Sequence, residues 1–265
     1  MFTAVPVDRS TPIQAAPSVV RDDDLIREAI QHYFVASDTG SSTELRRAFH
    51  PGAMMFWASS EGTLNSRSQP QWWELLDRAS TPLPAIRREI QWIDIAGDTA
   101  VASLLSRYSH HQFQDYVLLA RTAGRWQIIA KVFERVEGVA TRREATAVEN
   151  SRAAILDVLA ESFRATDTHD TDLLSKSYHP RATVFQVIEN QLVTVALPEW
   201  QARFRDKRAA GERNTAARSV TKLESSGPAA VVELLHDNGS FPRTEYALLV
   251  EVAGAWQIMA LTFAQ

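Results

Sequence analysis

The sequence predicts an α+β protein that consists of two copies of one domain, joined end to end. Two observations carry this prediction. The chain of 265 residues repeats itself at an offset of 129 residues, and each copy shows helical periodicity first and strand patterns afterwards. Helices followed by a long run of strands are typical of domains in which the helices pack on one face of an antiparallel sheet.

The repeat is visible at both ends of the two copies. Residues 26–51 read IREAIQHYFVASDTGSSTELRRAFHP, and residues 155–180 read ILDVLAESFRATDTHDTDLLSKSYHP. Near the carboxyl ends, residues 124–128 read GRWQI and residues 254–258 read GAWQI. The repeat predicts, in chain order, a disordered tail, a first domain, a linker and a second domain: residues 1–20, 21–136, 137–149 and 150–265.

Each copy is expected to begin with an amphipathic helix and a shorter second helix. In the first copy, apolar residues from Leu25 to Phe34 recur at helical spacing after an acidic run at 22–24. The second helix leads to a His-Pro pair, which we expect to end it, because proline disfavours helical geometry in the residue before it. A third helix is predicted at residues 70–79 and again at 198–209.

The remainder of each copy has strand patterns that are separated by turn signals. A β-prone run follows the His-Pro pair in both copies, and four longer runs follow the third helix of the first copy. The strands of the first copy are predicted at residues 53–58, 86–95, 99–110, 112–121 and 125–135. Such a series predicts an antiparallel meander against which the helices pack.

Composition narrows the classes of function. The net charge is −4 with acids and bases interspersed, which indicates no binding of nucleic acid or of an anionic membrane. No run approaches 18 apolar residues and the first 20 residues do not resemble a signal peptide, so we expect a cytoplasmic protein. Cysteine is absent, and no metal-ligand spacing or glycine-rich phosphate loop is present. We therefore expect no metal and no cofactor.

Five short motifs resemble the lumazine-binding branch of the NTF2-like superfamily. They are Tyr33-Phe34, Phe49-His50-Pro51, Asp115-Tyr116, Gly124-Arg125-Trp126 and Lys131-Val132-Phe133. The resemblance covers nearly all of the first half and, more loosely, the second half. The superfamily includes ketosteroid isomerase, polyketide cyclases resembling SnoaL, and dehydratases, so the resemblance implies a fold and a pocket rather than one reaction.

The resemblance also implies a shape and a mode of assembly. Each half would be a cone in which a curved sheet wraps around a helix, and the open mouth of the cone would hold a small hydrophobic or heteroaromatic molecule. The two halves would pair through the outer faces of their sheets as an intramolecular pseudo-dimer, and a further homodimer is left open.

Asp115 is the predicted centre of a site in the first half. If residues 122–124 form a three-residue loop, Asp115 lies directly across from Lys131 within an apolar row. One interpretation is an ion pair with Lys131 that closes the hairpin. The other follows from the resemblance to ketosteroid isomerase, in which Tyr33 and a protonated Asp115 would donate hydrogen bonds to a developing oxyanion.

The resemblance leaves the catalytic base open. The base of the isomerase falls near Trp57, which cannot accept a proton, so steroid isomerisation by that mechanism is disfavoured. The alternatives are His50, Glu61, Asp94 and His111. We predict His111, because it shares the strand phase of Asp115. The residues predicted to bind the ligand are Trp57, Trp72, Trp73, Phe113, Lys131 and Phe133.

The second half lacks the counterparts of this polar set. Tyr33, Asp115 and Lys131 correspond to Ser162, Glu245 and Leu261. The sequence therefore predicts that the first half carries any chemistry, and that the second half is a scaffold or a different pocket.

Three functions are compatible with these observations. The first is a cofactor-independent enzyme of the isomerase, cyclase or dehydratase type that acts on a hydrophobic metabolite in the first half. The second is a non-catalytic binding protein for a heteroaromatic molecule. The third is a protein-interaction module that uses the sheet faces.

Overall fold

The computed structural model describes residues 21–78, 84–138, 145–237, 239 and 242–264. Within these residues, each half contains three helices and six strands in the same order. The helices are α1 (Asp22–Thr39), α2 (Ser42–Ala48), α3 (Gln69–Arg78), α4 (Ala145–Thr168), α5 (Thr171–Ser177) and α6 (Leu197–Ala209). The predicted tail and residues 139–144 of the predicted linker lie outside the described residues.

The strands follow the predicted pattern and add one short strand to each half. In the first half they are β1 (Phe49–Ala58), β2 (Leu64–Ser68), β3 (Arg87–Ala96), β4 (Thr99–Arg107), β5 (His111–Thr122) and β6 (Arg125–Glu137). In the second half they are β7 (Tyr178–Ile188), β8 (Gln191–Ala196), β9 (Ala217–Ser226), β10 (Ala229–Asp237), β11 (Arg243–Val252) and β12 (Ala255–Phe263). The short strands β2 and β8 were not predicted.

Each half folds around one six-stranded sheet of the same topology. The strand order is β2-β1-β6-β5-β4-β3 in the first half and β8-β7-β12-β11-β10-β9 in the second. Strand β1 is parallel to β6 and β7 is parallel to β12, whereas all other neighbours are antiparallel. The predicted α+β fold with two tandem copies is confirmed.

The His-Pro pair has a different role from the predicted one. Helix α2 ends at Ala48, and His50 already lies in β1, so the chain is extended before proline is reached. The Nδ1 atom of His50 accepts a hydrogen bond from the backbone N–H of Gly52 at 3.0 Å, and that of His179 accepts one from Arg181 at 3.0 Å. The same contact in both halves supports a structural role for this histidine.

The turn between β5 and β6 is shorter than predicted. It consists of Ala123 and Gly124, whose φ angles of 47° and 77° are those of a two-residue hairpin turn. Thr122 therefore pairs with Arg125. The predicted three-residue loop is wrong, because two consecutive left-handed residues close the hairpin without a third.

A β-bulge then shifts the register of the same hairpin. The pairing changes between residues 118 and 119, which leaves Ile129 as an extra residue in β6. Asp115 is opposite Phe133 rather than Lys131, and Lys131 is opposite Val117. The predicted direct pairing of Asp115 with Lys131 is therefore wrong, although both side chains still lie on the inner face of the sheet.

Each half has an apolar core between its helices and the inner face of its sheet. The core of the first half includes Ile26, Ile30, Phe34, Phe49, Val117, Leu119 and Trp126. That of the second half includes Ile155, Leu159, Tyr178, Phe204, Leu249 and Trp256. Since these residues come from the helical stripes and from alternate strand positions, the periodicity of the sequence accounts for both cores.

The outer faces of the two sheets pack against each other. A third apolar cluster joins residues of both halves, among them Phe56, Tyr116, Leu118, Val132, Phe185, Val231, Tyr246 and Leu248. Two backbone hydrogen bonds between the halves are equivalent. The backbone N–H of Ala123 donates to the carbonyl of Asn190 at 3.0 Å, and that of Ala253 donates to the carbonyl of Gly62 at 2.9 Å. The halves are therefore related by an approximate twofold axis.

Side chains at this interface follow the same axis. Tyr116 donates to Glu224 at 3.1 Å, and the equivalent Tyr246 donates to Asp94 at 2.5 Å. Trp92 and Lys222 occupy matching places in the registers of β3 and β9, and they touch each other, with the Lys222 ammonium 3.4 Å from the centre of a Trp92 ring. None of the described helices is both long and apolar enough to cross a lipid bilayer.

Candidate functional site

Three predicted polar residues of the first half meet in its core. Helix α1 supplies Tyr33, β5 supplies Asp115 and β6 supplies Lys131. The Tyr33 hydroxyl donates to Asp115 Oδ2 at 2.7 Å, Lys131 Nζ donates to the Tyr33 hydroxyl at 2.5 Å, and Lys131 Nζ lies 2.9 Å from Asp115 Oδ1. All three are buried, and Asp115 has no exposed surface. We call these three residues the first-half cluster.

Burial and charge act in opposite directions in this cluster. Burial, with the Asp115 carboxylate beside it, raises the pKa of the Tyr33 hydroxyl well above its usual value, so Tyr33 stays protonated. Burial lowers the pKa of the Lys131 ammonium, and Asp115 opposes this effect. Of the two interpretations left open by the sequence, the geometry favours the ion pair of Asp115 with Lys131.

Aromatic rings surround the first-half cluster. The Trp72 ring lies 6.0 Å from that of Tyr33 and 5.3 Å from that of Phe49, measured between centroids. The Lys131 ammonium lies 4.7 Å from the centre of the Phe133 ring and 5.8 Å from that of Trp72. The space next to Asp115 is therefore occupied by side chains of the protein itself.

The other predicted residues of the first half lie further out. Trp57 stacks on Phe133 with centroids 5.4 Å apart, and both line an open groove of about 610 Å³ between the two halves. His111 stacks on Tyr108 at 4.7 Å and touches Phe113 at 5.3 Å. No contact between His111 and the first-half cluster is found among the described residues.

Trp73 is separated from these residues as well. Its ring lies under the Arg46 guanidinium at 4.7 Å, on the helical side of the first half. The structure therefore brings Tyr33, Asp115, Lys131, Trp72 and Phe133 together. Trp57 and Phe113 contact this group through the Phe133 ring, at 5.4 and 5.7 Å between centroids, whereas His111 and Trp73 lie apart from it.

The second half contains a cavity of about 380 Å³ inside its cone. Strands β7, β9, β10, β11 and β12 form one wall, and helices α4 and α6 form the other. Its apolar lining includes Phe163, Trp200, Phe204, Leu261 and Phe263, and its polar lining includes Ser162, His169, Tyr178, Arg218, His236, Arg243 and Glu245. Cavities of a few hundred Å³ with an apolar lining and a few convergent polar groups are typical of small-molecule sites.

Differences between the two halves explain why this cone is hollow. The position of Tyr33 is occupied by Ser162 and that of Lys131 by Leu261, so the bulky polar pair that fills the first cone is missing. The Ser162 hydroxyl donates only a long hydrogen bond, 3.4 Å, to the Tyr178 hydroxyl. Burial raises the pKa of Tyr178 to about 12, although the Ser162 bond opposes this, and the hydroxyl therefore stays protonated at neutral pH.

A second polar cluster lies on one wall of this cavity. Glu245 Oε1 is 3.1 Å from His236 Nδ1 and accepts a hydrogen bond from Arg243 Nη2 at 2.5 Å. Burial acts to raise the pKa of the Glu245 carboxyl, but the His236 hydrogen bond and the Arg243 charge outweigh it, and the pKa lies below its usual range. Arg243 Nη2 also lies 3.2 Å from His236 Nδ1, but its shorter contact is with the carboxylate. Because an ionised carboxylate can only accept, we assign the Nδ1 proton of the imidazole to the bond with Glu245.

The Nε2 atom of His236 is left without a hydrogen bond in the described part of the chain. His236 is therefore a buried imidazole that lines a cavity, with one nitrogen fixed by a carboxylate and the other available as an acceptor. No group of three His, Cys, Asp or Glu side chains able to hold a metal ion occurs among the described residues.

Sequence reasoning found Glu245 as the counterpart of Asp115 but missed its partners. His236 occupies the place of Ser106, and Arg243 that of Phe113, so neither residue belongs to the repeated set. Opposing strand positions were the available signal: His236 and Arg243 pair directly between β10 and β11.

Comparisons with known proteins agree with the architecture. A family model described as "Putative lumazine-binding" matches residues 21–134 and again residues 150–264. An NTF2-like protein of unknown function from Methylobacillus flagellatus KT is 30% identical over 44% of this chain and 95% of that chain, with a TM-score of 0.38. No curated protein matches the chain.

Two further solved structures are similar. An NTF2-like protein of unknown function from Shewanella baltica OS155 is 23% identical over 43% of this chain and 93% of that chain, with a TM-score of 0.39. A protein of Shewanella frigidimarina NCIMB 400 described as a "putative ketosteroid isomerase" is 13% identical over 42% of this chain and 94% of that chain, with a TM-score of 0.35.

Proposed function

Because the chain belongs in both halves to the NTF2-like family described as "Putative lumazine-binding", we propose that its second half binds a small organic molecule and acts on it by cofactor-independent acid–base chemistry. The reaction class is that of an isomerase or a lyase. The observation that carries the proposal is His236, which lines the cavity with Nε2 unpaired and Nδ1 directed at Glu245.

The geometry suits a general base. Glu245 holds the tautomer in which Nδ1 carries the proton, so Nε2 can take a proton from a bound molecule. The carboxylate then stabilises the imidazolium that forms, as an orienting acid residue does in other histidine-dependent sites. Return of the proton to another atom gives isomerisation, and loss of a leaving group gives elimination.

Tyr178 is placed to assist the same step. Its hydroxyl lines the cavity and remains protonated because of burial. A buried O–H donor can stabilise negative charge that develops on a carbonyl oxygen of the ligand when a neighbouring proton is removed. The apolar walls exclude water, which strengthens such an interaction.

This proposal places the chemistry in the second half, whereas the sequence predicts it in the first. In the first-half cluster the carboxylate is fully buried, is paired with Lys131 and is covered by Trp72 and Phe133. These contacts support a structural role for Tyr33, Asp115 and Lys131. In the second half, by comparison, the polar groups line a cavity.

Exchange of solvent deuterium into a bound ligand tests the proposal without knowledge of the product. We expect enolisable carbonyl compounds such as phenylpyruvate and 2-tetralone to exchange their acidic C–H in D₂O in the presence of the protein, as followed by ¹H NMR. His236→Gln should slow this exchange by roughly 10²–10⁴-fold, because the positioned base is lost.

A second histidine of the same cavity provides the control. His169→Asn keeps a residue that tolerates the left-handed backbone at this position, where φ is 51°, and should leave exchange within about threefold. Binding without exchange in the wild-type protein would contradict catalysis and favour a non-catalytic binding protein. Equal exchange by His236→Gln and the wild type would remove His236 from the mechanism.

A further inference from the structure

Two buried nitrogen donors of the second half have no acceptor in the described part of the chain. They are Arg218 Nη2 and Arg243 Nε, and both residues line the cavity. The Arg218 side chain is only 5% exposed. Buried polar groups in proteins are nearly always hydrogen-bonded, and a guanidinium is a donor only. The described residues therefore provide no acceptor for these two nitrogens.

In the first half, the equivalent arginine has acceptors for both of its terminal nitrogens, and only its Nε has none among the described residues. Arg88 pairs with Ser106 across β3 and β4, as Arg218 pairs with His236 across β9 and β10. Arg88 Nη1 donates to Ser106 at 2.7 Å, and its Nη2 donates to Asp38 at 2.5 Å.

Arg218 keeps only part of this set. Its Nη1 donates to Asp167, the counterpart of Asp38. The counterpart of Ser106 is His236, whose Nδ1 is already engaged by Glu245. Arg218 Nη2 consequently has no acceptor among the described residues of the second half, which contains the cavity.

Most of the charged side chains that line the cavity are cationic, like Arg218. Four lining residues are cationic, namely Arg203, Lys207, Arg218 and Arg243, and the lining carboxylate, Glu245, is already bound by His236 and Arg243. Arg203 and Lys207 lie at the exposed rim, where Glu199 and Glu212 accompany them. Inside the cavity, a ligand with a negative group would complete the hydrogen bonds that the protein leaves open.

We propose that the ligand of this cavity is a small organic acid with a planar or apolar body, and that its carboxylate binds Arg218 and Arg243. Each of the two unpaired nitrogens can donate one hydrogen bond to a carboxylate, and charged hydrogen bonds of this kind are the strong ones. The rings of Phe163, Trp200 and Phe204 would contact the body. This inference rests on the proposed function only in that both use the same cavity.

Matched pairs of an acid and its primary amide test the charge directly. Isothermal titration calorimetry of the full-length protein with trans-cinnamate and 2-naphthoate, and with cinnamamide and 2-naphthamide, should give at least about tenfold tighter binding of each acid. Arg218→Gln should weaken binding of the acids by about 10- to 100-fold and leave the amides within about threefold.

The equivalent arginine of the first half is the control. Arg88→Gln should leave acid and amide binding within about threefold, because Arg88 lies in the first half and does not line this cavity. Equal affinity of acid and amide in the wild type, no binding of either acid, or acid affinity unaltered in Arg218→Gln would each overturn the proposal. If Arg218→Gln does not fold, the comparison of acid with amide in the wild-type protein still tests whether the cavity prefers an anionic ligand.

Each of the two proposals can be contradicted without contradicting the other. Acid-selective binding with no deuterium exchange in any ligand contradicts acid–base catalysis and leaves the anionic ligand standing. Exchange into neutral 2-tetralone, together with equal binding of acids and amides, contradicts the anionic ligand and leaves the catalytic proposal standing.

Discussion

The buried residues of the first half illustrate how polar groups persist in an apolar core. Tyr33, Asp115 and Lys131 each have a partner within 2.9 Å, so the cost of burial is shared among three contacts. Such a cluster is most sensitive to the loss of one member, because the remaining charge is then buried without compensation.

Asp115→Asn should therefore destabilise the protein severely. We expect the free energy of unfolding to fall by about 3–5 kcal/mol, since Lys131 loses its counter-charge in the core. Chemical denaturation followed by tryptophan fluorescence measures this loss. Glu89→Gln, on the half-buried edge strand β3, should change the free energy by less than about 0.5 kcal/mol.

The result separates the two interpretations of Asp115. A structural ion pair predicts a large loss of stability while the second-half cavity still binds its ligand within about threefold. A loss of less than about 1 kcal/mol, accompanied by loss of turnover, would instead favour the oxyanion-binding role that the resemblance to ketosteroid isomerase implies.

Single residues also mark the limit of prediction from sequence. A carboxylate in an apolar row was enough to identify Asp115 as special, and Tyr33 and Lys131 with it. The choice between a scaffold and a pocket in the second half could not be made from the sequence, because it depends on the space left when Ser162 and Leu261 replace Tyr33 and Lys131. That space is a property of three-dimensional packing and not of residue type.

At the scale of elements, strong periodicity made the helices and long strands predictable. Strands β2 and β8 were missed because LNSRS has no apolar alternation and QLVTVA is short. The register of β5 with β6 was predicted wrongly for two reasons. The turn has two residues instead of three, and a bulge then moves every later pair by one further residue without a clear mark in the sequence.

Helix α5 leads directly into β7, which carries Tyr178, and its start depends on one cap. The Asp170 carboxylate accepts hydrogen bonds from the backbone N–H groups of Asp172 and Leu173 at 2.9 and 3.1 Å. Asp170→Ala should lower the free energy of unfolding by about 1 kcal/mol. Asp172→Ala, two residues further along in the first turn of α5, should change the free energy of unfolding by less than about 0.5 kcal/mol in the same thermal or chemical unfolding experiment.

The cap also has a defined pH dependence. The backbone hydrogen bond from Leu173 lowers the pKa of the Asp170 carboxyl below its usual value of 3.8. A lowered native pKa means that the unfolded state binds more protons in this range, so the contribution is present above pH 3.8 and is lost as the pH falls through the native pKa. The difference between the wild type and Asp170→Ala should shrink over that acid range, and a constant difference would contradict a charged cap.

At the scale of the whole molecule, the outer face of each sheet is buried against the outer face of the other. The shared cluster includes Leu118 and Val132 from the first half and Val231 and Leu248 from the second. A contiguous apolar cluster shared by two sheets is typical of a permanent interface.

Cleavage of the covalent connection tests whether this interface suffices. With a protease site inserted between Gly138 and Ala145, the two fragments should still elute together in size-exclusion chromatography after cutting. Leu248→Asp buries an unpaired charge at the centre of the cluster and should let the cut fragments separate. Separation of the unmutated fragments would show that the chain connection, not the packing, holds the halves together.

The contact of Trp92 with Lys222 has a further consequence. In a dimer of identical chains, a residue beside the symmetry axis meets a copy of itself, so tryptophan would face tryptophan and lysine would face lysine. A single chain removes this restriction, and each half can change without imposing the same change on the other. The first half can then keep a buried cluster that stabilises the fold, while the second half exchanges tight packing for a cavity.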